Sequence, residues 1–516
     1  MKKIFTLFLS ILILSSCSED YLTLEPQATL FSSNYFSTVD EVEQALIASY
    51  DVLGHQKGTG LAWSPTLVMS EILSDDAYAG GQDAGDGAEE DEFNRFRIST
   101  ANDVVRSIWK RNYFGVFRAN FTIEKAAALE GADPNEVDRL IAEAKFLRAW
   151  FNFELVRFFE NVPLLTSVPS GLEDGNRKQS SPAEVYNQIA TDLVDALPSL
   201  PTQIGTGRAT KWAAQALLAR VYLFEKGVYG NGMSAGNQTI DDAYVLAQLE
   251  DLIANSGHDL LPNYDELFLA ANEFSIESVF EISYAGEPVG GDWGSEQYVE
   301  GNLAAQMMGP RVTGGSTFYR GWAFAIVSNK LYQDLQGDPR LDATIITQPQ
   351  LLAESGVTLN TGSYQHTGYY NNKYTTRLVD RGTVGTPELH NMSNYRAIRY
   401  ADVLLMAAEL SQSVSYLNEV RNRVGLSALG SYSENALFQE RRRELAGEGL
   451  RYFDLLRRGV TVAQQELSIT NDIGSYYTGD PSVYEVTFDA DTRGFLPIPQ
   501  VEIDLSNGVL KQNDGY

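Results

Sequence analysis

The chain has 516 residues, a formal net charge of −29 at pH 7 and 44% hydrophobic residues. Such an acidic surface repels nucleic-acid phosphates, which argues against nucleic-acid binding and, more weakly, against a polyanionic ligand. Cys17 is the single cysteine, so the chain has no intramolecular disulfide, cysteine nucleophile or cysteine-based metal site.

The N-terminus has the pattern of a secretory signal. Two lysines precede an apolar run from Ile4 to Leu14, which is shorter than the ~20 residues that a membrane-spanning helix needs. The residues at the end of this run, Leu14-Ser15-Ser16-Cys17, resemble a bacterial lipobox. In a lipobox the signal peptide is cleaved before the cysteine, and the cysteine sulfur is lipidated. We therefore predict a signal peptide over residues 1–16 and lipidation of Cys17.

Helical periodicity dominates the rest of the chain. Apolar residues recur at i, i+3 and i+4, Asp133-Pro134 offers an N-cap and a helix-compatible proline, and Ser181-Pro182-Ala183-Glu184 is a capping box. The predicted helices are Val39–Leu53, 134–158, 182–197, Thr210–Gly227, Asp241–Asn255, Arg399–Ser411, Val414–Val424 and Asn435–Arg458.

Three long irregular segments separate these helices: Ala77–Glu92, Tyr284–Arg320 and Gln348–Leu389. Loops of this length in a compact protein are usually either functional or disordered. The fold class that we predict is mainly α, with tetratricopeptide-like helical hairpins and a second, irregular half of long loops and few strands. The predicted regions are 17–255 and 256–516.

The motifs that suggest catalysis or metal binding are weak. Gly232-Met233-Ser234-Ala235-Gly236 matches G-x-S-x-G, but the preceding residues are helical and the segment is loop-like, whereas a nucleophile elbow needs a strand before the serine. Paired carboxylates for a glycosidase cannot be identified among 68 acidic residues. The acidic stretch Asp83–Glu92 lacks EF-hand spacing, so a solvated loop is favoured over a calcium site. We predict no enzyme and no cofactor, with calcium and a hydrolase as alternatives.

A charged run near the C-terminus also has a structural interpretation. Glu444 and Glu448 lie one helical turn apart, and Arg451 and Asp454 follow at spacings of three. This pattern predicts an ion-pair ladder along one helix.

Tryptophans in the loops are the best functional signal. Trp63, Trp293 and Trp322 lie in or near Gly/Ser-rich segments, off the periodic helices. Sugar C–H faces stack on aromatic rings, while nearby polar groups bind the hydroxyls; packing within the loops is the alternative. We predict a glycan site formed by Trp63, Asp75, Asp76, Tyr78, Trp293, Tyr298, Tyr319 and Trp322.

Several motifs resemble those of the SusD/RagB lipoprotein family. They lie in order from Cys17 to Tyr516 but outside the loops. They are Cys17-Ser18-Glu19-Asp20-Tyr21-Leu22 with Pro26, the stretches 142–150 and 207–220, Arg399–Met406, the 440–458 segment, Leu496-Pro497-Ile498-Pro499-Gln500, and Gln512-Asn513-Asp514-Gly515-Tyr516, where the family more often has proline at Asp514.

The resemblance implies a role and partners. It implies a non-enzymatic, surface-exposed lipoprotein of the outer membrane that binds an oligo- or polysaccharide and delivers it to a SusC-like TonB-dependent transporter, which the helical hairpins would contact. The acidic surface suits a neutral glycan such as a glucan. A peptide-capturing lid of a peptide importer is the alternative.

Overall fold

A computed structural model describes residues 35–56, 62–203, 206–285, 299, 301–383 and 385–516 of the chain. Helices account for most of its regular structure, and its strands are short. The predicted fold class is therefore confirmed, whereas the division at residues 255 and 256 stays a prediction. Across these described ranges, no helix has the length and apolar character needed to cross a membrane.

The helices are numbered here in chain order. They are α1 Val39–Gly54, α2 Thr66–Ile72, α3 Ala88–Asn94, α4 Asp103–Ala127, α5 Pro134–Phe159, α6 Leu172–Gly175, α7 Pro182–Ala196, α8 Lys211–Val228, α9 Asp242–Asn255, α10 Leu303–Met308, α11 Asn329–Asp334, α12 Leu341–Thr344, α13 Gln348–Ala353, α14 Tyr400–Ser411, α15 Val414–Arg423, α16 Glu434–Leu445, α17 Arg451–Leu456, α18 Val460–Leu467 and α19 Gln500–Leu505.

The strands form two-stranded antiparallel pairs. Several join distant parts of the chain, because β1 pairs with β6 and β4 with β10. The strands are β1 Ala77–Gly80, β2 Met233–Ala235, β3 Gln238–Ile240, β4 Ser278–Ile282, β5 Val312–Thr313, β6 Phe324–Val327, β7 Ile345–Thr347, β8 Thr358–Leu359, β9 Tyr369–Asn371 and β10 Tyr395–Arg399.

Side-chain caps begin the helices where the sequence predicted them. Thr38 and Ser181 form complete capping boxes with Glu41 and Glu184, and Asp133 caps α5 by accepting a hydrogen bond from the backbone N–H of Asn135. Each such cap stabilises its helix by about 1 kcal/mol. The local sequence therefore sets where these helices start.

The helices stack as hairpins along the molecule. α1 packs on α4, α4 on α5, α5 on α7, α7 on α8 and α8 on α9; α9 then packs on α14, and α14 on α15. Close approach depends on small residues: a Cβ at Gly115 of α4 would collide with the ring of Phe151 on α5. The alanines of α8, including Ala213 and Ala216, are fully buried.

Two helix predictions were wrong. The sequence analysis missed α4, the 25-residue helix Asp103–Ala127. The predicted helix Asn435–Arg458 is two helices, α16 and α17, because Gly447 and Gly449 between them adopt φ of 77° and 79°, a left-handed conformation that ends a helix.

The predicted ion-pair ladder along one helix is also wrong, because its acidic residues have other partners. Glu444 and Glu448 pair with cations from distant parts of the chain rather than with their own helix: Arg340 and Arg423 bind Glu444, Lys373 binds Glu448, and Arg399 binds both. All of these side chains are almost completely buried. The run is therefore a centre of long-range packing.

Candidate functional site

Trp63 and Trp322 line one open depression of about 500 Å³. The first lies just before α2 and the second just before β6, 259 positions later in the sequence. Both rings are partly buried and pack against the main hydrophobic core. The remaining lining residues are Ala62, Gln82, Gly85, Asp86, Gly87, Glu89, Glu90, Met307, Arg311, Arg320, Phe324 and Glu388.

The backbone of Trp322 is held from both sides. Its N–H donates to the carbonyl oxygen of Gln306 at 3.0 Å, and its carbonyl oxygen accepts from Nε of Arg311 at 3.0 Å. The buried amide of Gln306 donates in turn to the carbonyl oxygen of Arg320 at 2.9 Å. Hydrogen bonds to Gln306 and Arg311 therefore fix the backbone position of Trp322 at the depression.

The glycine-rich loop after β1 packs directly against the segment that follows Trp322. The N–H of Gly81 donates to the carbonyl oxygen of Ala323 at 2.8 Å. A Cβ at Gly80 would collide with that same oxygen, and one at Gly87 would collide with the ring of Phe324. Both glycines have positive φ, 74° and 140°, so a side chain would be strained there.

Trp63 is positioned by its neighbour Ser64. The N–H of Ser64 donates to the carbonyl oxygen of Gln56 at 2.7 Å. The Ser64 carbonyl oxygen accepts from Nη1 of the buried Arg111 at 2.7 Å. These two bonds join the start of α2 to the end of α1 and to α4, which fixes the segment that carries Trp63.

The depression carries an excess of negative charge. Asp86, Glu89, Glu90 and Glu388 face two guanidinium groups, those of Arg311 and Arg320. Nη2 of Arg311 binds Oδ2 of Asp86 at 3.0 Å. Burial, with the negative charges of Glu89 and Asp86, raises the pKa of Glu90 to about 7 despite a backbone hydrogen bond that lowers it.

Three predicted site residues are wrong, because they are fully buried. Asp75 binds Nε of Arg451 at 2.8 Å and Nζ of Lys330 at 2.7 Å, and Asp76 binds Arg442. Burial alone would raise the pKa of Asp75, but Arg442 and Arg451 hold it well below its usual range. Tyr78 is 0% exposed.

The hydroxyl of Tyr78 donates to the carbonyl oxygen of Asp472 at 2.9 Å, and its ring packs edge-on against Tyr484. Buried polar groups with internal partners are common supports of a core. These residues brace the structure beside the glycine-rich loop and have no surface for a ligand.

The other predicted positions have separate outcomes. Tyr319 is 8% exposed, its hydroxyl accepts from Nδ2 of Asn391 at 2.9 Å, and it does not line the depression. Trp293 and Tyr298 lie outside the described residues, as does Cys17. Roles of these four residues in binding or lipidation stay predictions.

Sequence reasoning missed the polar residues around the two rings. Gln82, Asp86, Glu89 and Glu90 belong to the acidic loop, which was interpreted as solvated. Trp322 follows these residues by 230 to 240 positions in the sequence, so no local sequence signal indicates that they lie beside it. The available signal was the glycine density of the loop, which marks close backbone approach.

The alternative motifs have structural positions of their own. Ser234 lies in β2 of a hairpin, where its N–H donates to Asn187; the strand β3 follows, whereas a nucleophile elbow requires a helix there. Among the residues with described positions, no group of three or more His, Cys, Asp or Glu side chains is placed to hold a metal ion.

These features define a class of protein: a helical frame of stacked hairpins that presents aromatic rings at an open, acidic depression. The chain belongs to the SusD family. A model described as "SusD family" matches residues 276–516, and one described as "Starch-binding associating with outer membrane" matches residues 20–223.

Similar proteins support this membership. SusD-like protein P2 of Formosa agariphila is 27% identical over the full length of both chains. A laminarin-binding SusD-like protein of known structure is 34% identical, with a TM-score of 0.79 over 92% of this chain and 99% of the other. Surface glycan-binding protein A from Bacteroides thetaiotaomicron, solved with laminarihexaose, is 26% identical, with the same score and coverage.

Proposed function

We propose that this chain is an outer-membrane lipoprotein that binds a neutral glycan at the depression and passes it to a SusC-like TonB-dependent transporter. The single observation that carries the proposal is the placement of Trp63 and Trp322 in one open depression. Aromatic faces bind the C–H surfaces of sugars, and the surrounding carboxylate, amide and guanidinium groups bind hydroxyls.

The charge of the depression favours a neutral ligand. Four carboxylates face two guanidinium groups, and the whole chain carries a formal charge of −29. A sulfated or uronic polymer would meet repulsion at both scales. A neutral glucan avoids this repulsion and has many hydroxyls for the polar groups to bind.

We take laminarin, a β-1,3-linked glucan, as the first candidate ligand. Two structurally similar proteins, at 34% and 26% identity, are a laminarin-binding protein and a surface glycan-binding protein solved with laminarihexaose. Trp293 and Tyr298, which the sequence places in the irregular segment Tyr284–Arg320, would add to the site. Cys17 would carry the lipid that holds the protein at the cell surface.

Titration calorimetry with laminarihexaose, maltohexaose and a mixed peptide pool tests this proposal. We expect binding of laminarihexaose, and we expect Trp322→Ala and Trp63→Ala each to weaken it about tenfold or more, because a central aromatic contact commonly contributes over 1 kcal/mol. Phe117→Ala, which removes an exposed aromatic side chain outside the depression, is the matched control and leaves the affinity unchanged.

Each of the other outcomes has a meaning. Heat only with peptides would favour the peptide-capturing lid, and release of sugar from a bound polymer would favour a hydrolase. Laminarihexaose binding that persists in both tryptophan variants would overturn the assignment of the depression. Co-purification of the lipidated chain with its transporter tests the delivery step separately.

A further inference from the structure

An apolar groove of about 830 Å³ lies between α4, the segment around Pro163–Arg177, and α19. None of its lining residues lines the aromatic depression. Phe114, Phe117 and Leu505 in this groove are 40%, 43% and 67% exposed. Adjacent exposed apolar side chains of this size usually mark a contact surface.

The described chain begins beside this groove. The ring of Phe36 packs edge-on against Phe121 of α4, with centroids 5.0 Å apart. Phe121 stacks in turn on Phe117, with centroids 6.4 Å apart. Phe36, Phe121 and Phe117 therefore form one continuous aromatic row, and the described residues begin at Tyr35, whose ring packs against Phe36 at the end of that row.

The preceding segment has the length and composition to cover the groove. Residues 18–34 include Leu22, Leu24, Leu30 and Phe31. The five positions from Phe31 to Phe36 span up to ~17 Å when extended. Phe117 and Phe114 lie only one and two helical turns of ~5.4 Å from Phe121, which is within that reach.

The charges of the two surfaces are also complementary. Lys110 and Arg177 line the groove beside one carboxylate, Glu502, which is paired with Nε of Arg106 at 3.1 Å. Nζ of Lys125 lies 5.8 Å from the ring centroid of Phe36. Residues 18–34 contribute Glu19, Asp20 and Glu25, and no cation. An acidic, apolar segment therefore matches a basic-edged, apolar groove better than a second copy of this strongly acidic chain would.

We propose that residues 18–34 fold back on their own chain, with Leu30 and Phe31 packed against Phe117 and Phe114. Covering the groove would keep these rings out of water and fix the direction in which the chain leaves the folded body. The proposal is independent of the proposed glycan function, because it concerns a different surface.

Cysteine labelling tests the proposal in a chain that starts at Ser18, where an introduced cysteine is the only thiol. Phe117→Cys is treated with a maleimide in the native chain and in a Leu30→Asp/Phe31→Asp background. We expect Phe117→Cys to be labelled at least about tenfold more slowly in the native background than in the Leu30→Asp/Phe31→Asp background. This ratio corresponds to a segment that is docked at least ~90% of the time. Leu505→Cys provides a second reporter in the groove.

Val379→Cys is the control, since Val379 is 77% exposed and lies outside the groove. It should react equally fast in both backgrounds, and matched thermal unfolding would confirm that the aspartates leave the fold intact. Equal labelling of Phe117→Cys in both backgrounds would overturn the proposal. So would protection that increases with protein concentration, since it would identify a second copy as the occupant.

Discussion

Trp322 owes its position to groups that are distant in sequence. Arg311 joins the carbonyl oxygen of Trp322 to Asp86 of the glycine-rich loop through one guanidinium. It also reaches Oε1 of Gln82 at 3.3 Å. A planar cation with several fixed donors can hold two segments at once, so Arg311 positions the ring rather than acting only as a charge at the site.

Glu90 is expected to make glycan binding depend on pH. Its pKa of about 7 already reflects burial, and a glycan placed over the depression would remove more water from this carboxyl and raise its pKa further. Binding should therefore take up protons, and affinity should be a few-fold higher near pH 5.5 than near pH 8. Calorimetry at both pH values, in buffers of different ionisation enthalpy, measures both effects.

Glu90→Gln is the matched control for this effect. The amide has the same shape but does not titrate, so its affinity should change much less between the two pH values. Asp86 and Glu89 remain in this variant and report any background dependence. An unchanged pH profile in Glu90→Gln would show that another group is responsible.

The candidate site was predictable from sequence only in part. Trp63 and Trp322 were selected because they lie off the helical periodicity, and the structure places them together; their role in binding stays a prediction. The predictions for Asp75 and Asp76 failed because the partners of these carboxylates, Arg451 and Arg442, are 376 and 366 residues away in the sequence. Residue type and loop position indicate a binding residue only when no distant cation neutralises it.

At the scale of elements, the glycine-rich loop is a packing surface for β6. Gly80→Ala would force a Cβ against the carbonyl oxygen of Ala323 at φ of 74°. We expect this change to destabilise the fold by about 1–3 kcal/mol and to weaken glycan binding, because Ala323 directly follows Trp322. Thermal unfolding and calorimetry measure the two effects.

Gly85→Ala is the control within the same loop. Its φ is not positive, and its Cβ would meet only the side-chain oxygen of Asp83, at 3.3 Å. Stability should therefore remain close to that of the native chain; because Gly85 lines the depression, this control is read by thermal unfolding only. Equal losses of stability in both variants would mean that the loop tolerates no change at all, and the specific contact with Ala323 would lose its support.

Helices that begin at a local cap were easier to predict than helix ends that depend on glycine. Caps such as Ser181 with Glu184 are local, so sequence alone located the start of α7. The break between α16 and α17 depends on how Gly447 packs against Asn371 and Gly449 against Leu67. A contact between segments so far apart in the chain leaves no periodic signal, and the charged run was interpreted as one helix.

At the scale of the whole molecule, the early and late parts of the chain share one interior. The main hydrophobic core extends from Val42 to Leu510. Arg399 binds Glu277, Glu444 and Glu448 within it. Removing one partner of a buried pair of this kind commonly destabilises a fold by several kcal/mol, so a change in this cluster is expected to destabilise the early and late parts of the chain together.

Glu71 links the stability of this frame to pH. It lies on α2, the helix that follows Trp63, and its Oε1 accepts from the N–H of Gly449 at 2.6 Å. Burial, with the nearby negative charges of Asp76 and Glu448, raises its pKa to about 8, although the Gly449 N–H and Lys373 lower it. The folded state therefore holds this proton up to a higher pH than the unfolded state does.

Because the pKa of Glu71 is raised on folding, its contribution to stability is complete below about pH 4.5 and is lost as pH rises through about 8. In Glu71→Gln the amide still accepts from Gly449 but never ionises. Relative to the native chain, the free energy of unfolding of this variant should rise by about 3–4 kcal/mol from pH 5 to pH 8, or about 3–4 °C in Tm for a chain of this length. Differential calorimetry at both pH values measures the gain. If the Tm difference between Glu71→Gln and the native chain is the same at both pH values, Glu71 is already ionised in the folded protein. In that case pH does not act on the site through α2.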